Sequence, residues 1–523
     1  MPAVCQTPQE LRLLTPRVAR AAAIFGLFVV ISAITRAVSL RIDILNVDET
    51  SYIVGAWQLL KGRWPYIAFA DNKPPLIYAY YALTQVLLGR GMLSVRLVTM
   101  LATVPLTAFA LSAYYRHDKR GIVAGLIYLL YSAAYFGDDM LATNCEVVML
   151  LPLAWALVCL RDGAHAVRAG WVCAAGLLIG VATLVKYQAI LWLPGVALAV
   201  LIVSWPMGVW RSLRHVLALC VGVAVPLVAA AAVFSAGGGL KEFMYWNVTH
   251  NVSYVMNTTP LGEAAWRMAV RVLPFLAATF PLWLASKRSI SIVGIPYQTR
   301  MVAGLMVGSA AAAFLGFRFF PHYFVQLYVP LAIGAAPWLS DIAIGSQAMR
   351  RSVVVYSVAL WAAFTAVNAA QYLGPEGVKG RPEHRVLRRI AERLSIDRCY
   401  ATGTLFVWGS APSLYYMSRL PPATRFFFPE HPLVPHVSGS PSATRRRVGR
   451  HPRGTGRLWK WLIADLKHNK PVYLVDMAPG AIKNWHYFPM RNYPWLHRMV
   501  DRHYDLIDSI QGVEIYRRRG CGT

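Results

Sequence analysis

Long apolar runs broken by short charged clusters fill the first 373 residues, and the pattern changes after Tyr372. The runs lie at about Ala21–Leu40, Leu93–Tyr115, Gly121–Phe136, Val147–Leu160, Val167–Val185, Ala189–Trp205, His215–Ser235, Trp266–Ser286, Val302–Gly316, Tyr323–Ser340 and Val353–Tyr372. Many approach the roughly 20 apolar residues that span a bilayer as a helix. They predict about 11 crossings and a mainly α, polytopic helical bundle. Ten-residue strands of alternating polarity are absent from the pattern, which excludes an outer-membrane barrel. The segment Pro74–Gly89 is apolar but short, and reads as a helix lying in the outer interface. That choice leaves Arg116–Arg120, Lys287-Arg288 and Arg350-Arg351 on the same side as Arg12, Arg17 and Arg20, the cytoplasmic side by the positive-inside rule. The first run carries Arg36 and meets no small-residue cleavage site, so it reads as an uncleaved helix.

After Tyr372 the chain turns polar. Gly374–Gly380 reads as a linker, RPEHRVLRRIAERLS as an amphipathic helix, and TLFVWG, PVYLVDM and VEIYRR as strands. Residues 374–523 are therefore expected to form a soluble α/β domain outside the membrane, following a transmembrane domain over 1–373. The basic stretch Arg445–Arg457 reads as a Gly/Pro-interrupted loop.

Composition agrees with a membrane protein: 57% of the 523 residues are hydrophobic and 15% charged, with mean hydropathy +0.44. A soluble fold of that balance would expose too much apolar surface. The net charge of +28 is concentrated late, with about 25 Lys and Arg against about 11 Asp and Glu from Gly374 to Thr523. No nucleic-acid recognition motif accompanies it. Membrane lipid head groups and phosphate-linked glycans are the better partners. The seven cysteines form no CxxC and no metal spacing. Cys399 and Cys521 alone share the tail, and a pairing there needs an extracytoplasmic location.

Candidate chemistry gathers on the predicted outer face. The external loop 41–92 opens a helix with the adjacent carboxylates Asp48 and Glu49, and returns with Asp71, Asn72, Lys73 and Pro74-Pro75. Helix capping explains one acid. Two acids beside a membrane suggest function. A carboxylate there can accept the proton of an attacking hydroxyl. Lys73, Lys186, Arg318, His322 and Tyr323 are candidates for a donor phosphate; snorkelling to lipid is the bland alternative. Glu146, at another helix start after Asp138 and Asp139, is the third catalytic candidate. A divalent metal held by Asp48, Asp138 and Glu146 is a minority reading, and otherwise no cofactor is expected. The triplets at Asn247, Asn251 and Asn257 sit in a polar, aromatic loop whose Tyr245, Trp246 and Tyr254 fit an interfacial belt.

The order VDETSYIVGAWQLLKGRWPY, NKPPLIYAYYAL, the acidic loop ending at Glu146, then RFFPHYFVQLYVPL resembles the GT-C class of polytopic glycosyltransferases. The resemblance is to family-39-like (PMT_2) bacterial members, and VWGSAPSLYYMSRLPPATRF and KPVYLVDMAP are similar to their outer domain. It implies an inverting transferase of the cell envelope, in a bacterial inner or plasma membrane. The donor would be a polyprenyl-phosphate-linked sugar and the acceptor a glycan, lipid or protein. It also implies Asp48 as catalytic carboxylate, Lys73 on the donor phosphate and Glu146 as the second acid, where some relatives have Asp. A transporter or flippase of a lipid-linked glycan is the rival reading. It should carry inverted repeats and midplane charges, whereas here the charges gather at one face.

Overall fold

The computed structural model describes residues 8–134, 137–162, 167–252, 259–293, 296–341, 347–373, 381–427, 433–434, 444–445, 448 and 455–521, with the side chains of 8–15, Asp138 and 290–299 excepted. Tyr254, Asn257, the expected linker 374–380 and most of the basic loop 445–457 lie outside these residues.

Seven described helices are long and apolar enough to cross a membrane: Pro16–Arg41, Met92–Tyr114, Tyr187–Met207, Val209–Ala236, Leu261–Ser289, Arg300–Phe317 and Gln347–Gln371. The other four predicted spans are shorter helices, Lys119–Ala134, Cys145–Cys159, Ala169–Thr183 and Tyr328–Ser340, of 16, 15, 15 and 13 residues. They fall short of the usual spanning length, yet ion pairs link their ends into two groups. Arg116 bonds Asp162 at 3.1 Å and Lys119 lies 3.6 Å from Asp341 at one end. Lys186 pairs with Glu146, and His322 lies 3.9 Å from Glu146, at the other. Each short helix thus runs between the same two ends as the long ones. Helices sheathed by other helices need no lipid-facing length. The outer ones are bare: only 17% of the apolar window of Val209–Ala236 and 11% of that of Gln347–Gln371 are buried.

Three helices frame the end that carries the acidic loop. The first, α1 (Pro8–Arg36), ends on Arg36, whose buried guanidinium donates to the Met140 carbonyl at 3.2 Å and the Ser132 carbonyl at 3.0 Å. The second, α2 (Val47–Leu59), is capped by Asn46, whose side chain accepts the Asp48 N–H at 2.8 Å. The third, α3 (Pro75–Leu88), starts on a proline, which needs no N–H there, and stops at Gly89, φ +87°. Both of its ends stay at the acidic-loop end: the Leu76 N–H donates to the Leu184 carbonyl at 3.0 Å, and just past Gly89 the Met92 N–H donates to the Tyr416 hydroxyl of the C-terminal domain at 3.4 Å. α2 and α3 approach closely because Gly55 has no side chain; a Cβ there would stand 2.6 Å from the Tyr78 ring. In α4 (Cys145–Cys159) the apolar side chains face the bundle.

The C-terminal domain carries a four-stranded sheet in the order β1-β2-β4-β3. β1 (Leu405–Trp408) runs parallel to β2 (Tyr473–Asp476). β4 (Val513–Arg518) is antiparallel to β2 and to β3 (Tyr504–Ile510), with an irregularity between Leu506 and Asp508. The helices α5 (Pro382–Ser395) and α6 (Pro412–Ser418) join the sheet to the membrane domain. Cys399 and Cys521 form a disulfide with their Cα atoms 6.2 Å apart, within the ordinary range. The domain docks on the acidic loop. The Ala70 N–H donates to the Arg425 carbonyl at 2.9 Å, and the Thr50 and Ser413 hydroxyls meet at 3.0 Å.

Burial pushes Asp476, on β2, up to about 7, with Glu514 opposite it adding to the rise; the Ala478 N–H opposes. A carboxyl raised on folding stabilises the fold in acid and loses that contribution as pH rises through 7. The shift corresponds to at most about 4 kcal/mol. Asp476→Asn keeps the acceptor for Ala478 and removes the charge. Melting of the full chain, followed by the fluorescence of the buried Trp408 cluster, should therefore favour wild type less and less as pH rises from about 4 to about 7, and level off above that. The variant should gain several degrees on wild type at pH 9. Parallel melting curves at every pH would contradict this.

Candidate active site

The site is built on the start of α2. Asp48 and Lys73 are each about a quarter exposed, and their charged atoms stand 3.5 Å apart. The Tyr52 hydroxyl, one turn later, donates to Asp48 Oδ2 at 3.3 Å. Burial pushes the Asp48 carboxyl up, but Lys73, His322 and Lys186, with the Tyr52 hydrogen bond, outweigh it and hold it below the ordinary carboxylate range. Asp48 is therefore an ionised acceptor facing an opening.

Lys73 is set by its own loop. The Tyr66 hydroxyl donates to the Lys73 carbonyl at 2.6 Å, Asn251 donates to the Asn72 carbonyl at 3.0 Å, and Asp71 accepts the Asn72 N–H at 2.6 Å. Burial raises the Asp71 carboxyl, and Lys73 works against that. Pro74 holds the next step extended, φ −64° and ψ 160°.

A second layer closes the site. Glu146, at the first turn of α4, is buried and paired with Lys186. Lys186 also lies over the Tyr323 ring, 4.7 Å from its centre. His322 approaches Asp139 Oδ2 through Nδ1 at 3.1 Å. Asn46, the cap of α2, donates its side-chain amide to Asp139 Oδ1 at 2.5 Å. Burial raises the Asp139 carboxyl, but His322 and Asn46 bring it below its ordinary value. Five charged groups from four separated segments thus converge around Asp48.

One expected site residue turns away from the opening. Glu49 points into the protein and is fully buried. Its Oε2 accepts from Arg96 at 2.8 Å and its Oε1 accepts the Thr143 N–H at 2.7 Å. Arg96 also donates to the Ser39 carbonyl at 2.6 Å and to the Ile42 carbonyl. Successive residues on a helix diverge by about 100°, so only one of the pair can face the opening. Arg318 is buried as well, and its carbonyl accepts Arg267 at 3.1 Å and Arg271 at 3.4 Å. The basic side chains acting most strongly on Asp48 are Lys73, His322 and Lys186.

The carboxylates proposed for a metal are occupied by amines: Asp48 by Lys73, Glu146 by Lys186. Among the described residues no three His, Cys, Asp or Glu side chains converge as ligands, and the Asp138 side chain lies outside them. In this arrangement an ammonium group, and not an open ligand position, faces each of Asp48 and Glu146.

The sequence pattern gives Asp139 no role beyond that of a solvated acid or of an oxygen ligand beside Asp48, and gives Asn46, Tyr52, Arg96, Arg267 and Arg271 none. Their one legible signal is charge inside or beside apolar runs, which marks Arg96, Arg267 and Arg271.

Residues 72–235 match the family model described as Dolichyl-phosphate-mannose-protein mannosyltransferase. No curated protein matches the chain by sequence. Two crystal structures share its fold. ArnT from Cupriavidus metallidurans bound to undecaprenyl phosphate superposes with a TM-score of 0.59 at 15% identity, covering 94% of this chain and 97% of that one. The apo form of the same enzyme gives 0.58 at 16% identity, covering 95% and 98%. The fold is therefore that of the GT-C glycosyltransferases. The resemblance to their PMT_2 and ArnT branch rests on sequence over 72–235 and on fold over nearly the whole chain.

Proposed function

We propose that this protein is an inverting glycosyltransferase that moves a sugar from a polyprenyl-phosphate donor to a hydroxyl of a glycan, lipid or protein. The observation that carries the reading is the partly exposed Asp48 carboxylate, kept ionised by Lys73, His322 and Lys186 at one end of lipid-facing helices. A polyprenyl tail can lie along those helices while its phosphate meets the lysines. The likeness to ArnT, whose crystal structure holds undecaprenyl phosphate, supports that donor class.

In the proposed step the acceptor oxygen attacks the anomeric carbon as its proton passes to Asp48. The bond from that carbon to the phosphate oxygen breaks, and its electron pair leaves with polyprenyl phosphate. One displacement inverts the centre. Lys73 and Lys186 stabilise the departing phosphate. Lys73 first has to exchange Asp48 for the donor. Glu146 holds Lys186, and His322 and Tyr323 wall the site. Arg318 and Glu49 take no part in the step in this reading, and no step uses a metal. The site end is assigned to the extracytoplasmic side. The disulfide at Cys399 and the gathering of Arg116 and Lys119 at the opposite end support that orientation.

The test uses purified protein in lipid nanodiscs with synthetic polyprenyl-phosphate hexose and pentose donors and envelope glycan acceptors. The expected result is one polyprenyl phosphate released per glycosidic bond formed, with inverted configuration by NMR. Movement of intact donor across the bilayer without cleavage would instead establish the transporter reading.

Lys73→Ala should raise the donor KM and lower kcat together, by about tenfold or more in each, because the lysine meets the phosphate in both the ground and the transition state. The acceptor KM should stay within about twofold. A loss confined to the acceptor KM would remove Lys73 from the phosphate.

A further inference from the structure

A cavity of about 290 Å³ opens at the seam between the first loop and the C-terminal domain. Asp43 forms one wall, α5 contributes Arg388 and Glu392, and Tyr400, Tyr416 and Arg419 complete the rest. Its charges are balanced, two acids against two guanidinium groups. Arg388 reaches across the seam to Asp43 at 2.5 Å. Arg419 lies over the Tyr416 and Trp57 rings, 5.3 and 4.9 Å from their centres, and those two rings stack at 5.8 Å. The Tyr400 hydroxyl donates to the Ser418 carbonyl at 2.6 Å, fixing that ring at the rim.

This chemistry narrows the ligand. Four charged groups make the cavity a poor seat for a lipid tail. The two carboxylates offset the two arginines, so a phosphate or other net anion gains little there. Donors and acceptors of both signs beside aromatic faces suit a neutral polyhydroxyl compound. The volume lies at the lower bound for ligand pockets, enough for one small unit.

Position gives the cavity a role. Asp43 precedes Asp48 by five residues, so their Cα atoms are at most about 18 Å apart. Tyr416 stacks on Trp57 of α2, the helix that carries Asp48. A chain of sugars seated at the seam can present its end to Asp48.

We infer that the seam cavity formed by Asp43, Arg388, Glu392, Tyr400, Tyr416 and Arg419 binds a neutral sugar unit, and that this unit belongs to a glycan acceptor. The second half rests on the transferase reading; the first does not. The acceptor would then be held by two points, its hydroxyl at Asp48 and an inner sugar at the seam.

Binding is measured apart from turnover. Full-length protein in nanodiscs is titrated with neutral trisaccharides of mannose, galactose, glucose and arabinose, followed by saturation-transfer NMR, with hexose 6-phosphate as anionic control. At least one neutral trisaccharide should bind. Ser395→Trp, which fills the cavity from the end of α5, should weaken it at least tenfold, and Arg419→Gln several-fold. Melting temperatures identify a misfolded variant, and if Ser395→Trp is one, Arg419→Gln decides. No binding by any neutral trisaccharide, binding that a folded Ser395→Trp or Arg419→Gln leaves intact, or tighter binding of the phosphorylated hexose would overturn the proposal. Sugar binding in a protein whose Asp48→Asn form still turns over would keep the cavity and remove the transferase mechanism.

Discussion

Asp48→Asn should yield a folded protein whose transfer rate is down by at least about a thousandfold, the upper part of what a positioned general base contributes. The amide keeps the shape of the carboxylate and its place in the first turn of α2, but cannot take a proton from an attacking hydroxyl. The loss of stability should be small. The ion pair with Lys73 is partly open to solvent at 3.5 Å, and such pairs contribute at most about 1 kcal/mol. Loss of an acidic group at a helix start adds about 0.3–1 kcal/mol. The carboxyl is held below its ordinary range, first against burial and then by Lys73, His322 and Lys186. A carboxyl lowered on folding stays ionised at neutral pH, and both its base function and its stabilising contribution fade only as pH falls through the folded value. The wild-type rate should therefore show no Asp48 titration between pH 6 and 8. Turnover by purified, folded Asp48→Asn within tenfold of wild type would remove Asp48 as the base. Asp139, bound to Asn46 and His322 beside it, would then be the next carboxylate to test.

The bundle was legible because lipid leaves a coarse mark: every predicted run became a helix, and the charges at run ends told which ends meet. The site was legible in part for the same reason. Asp48, Lys73, Glu146 and Lys186 are charges beside apolar runs, and with His322 they are five of the six ionisable groups at the site, the five that the sequence pattern marks. What the sequence hid is direction. DE reads as a pair, yet one carboxylate faces the opening and the other turns inward to Arg96, which sits inside a predicted span. Asp139 reads as solvent-facing because its partners, Asn46 and His322, come from 93 residues before it and 183 after. In the C-terminal domain three strands carried apolar runs and were expected. The fourth, Tyr504–Ile510, was missed because it is an edge strand whose DLIDS stretch is mostly polar or exposed.

Glu49→Gln should do the opposite of Asp48→Asn: a protein that accumulates poorly and unfolds easily. The side chain keeps nearly its volume and an oxygen for the Thr143 N–H. What it loses is the negative charge against Arg96, and both members of that pair are almost wholly buried. Removing one partner of a buried pair strands the other charge and costs about 3–5 kcal/mol. Replacing both, as in Glu49→Leu with Arg96→Met, removes the stranded charge but not the whole loss. The carbonyls of Ser39, Ile42 and Asp43, which Arg96 now serves, would lose a donor. The double variant should thus fall between wild type and Glu49→Gln, with a coupling of about 1–3 kcal/mol. Unfolding in mild detergent, followed by denaturant titration, measures this. The loops tied together here carry Asp43, Asp48 and Asp139, so a destabilised protein should also lose turnover as its folded fraction falls. Turnover normalised to folded protein separates the two roles. A Glu49→Gln protein as stable as wild type but inactive would return Glu49 to the catalytic set; one that is unstable but active per folded molecule makes the Glu49–Arg96 pair the brace beneath Asp48.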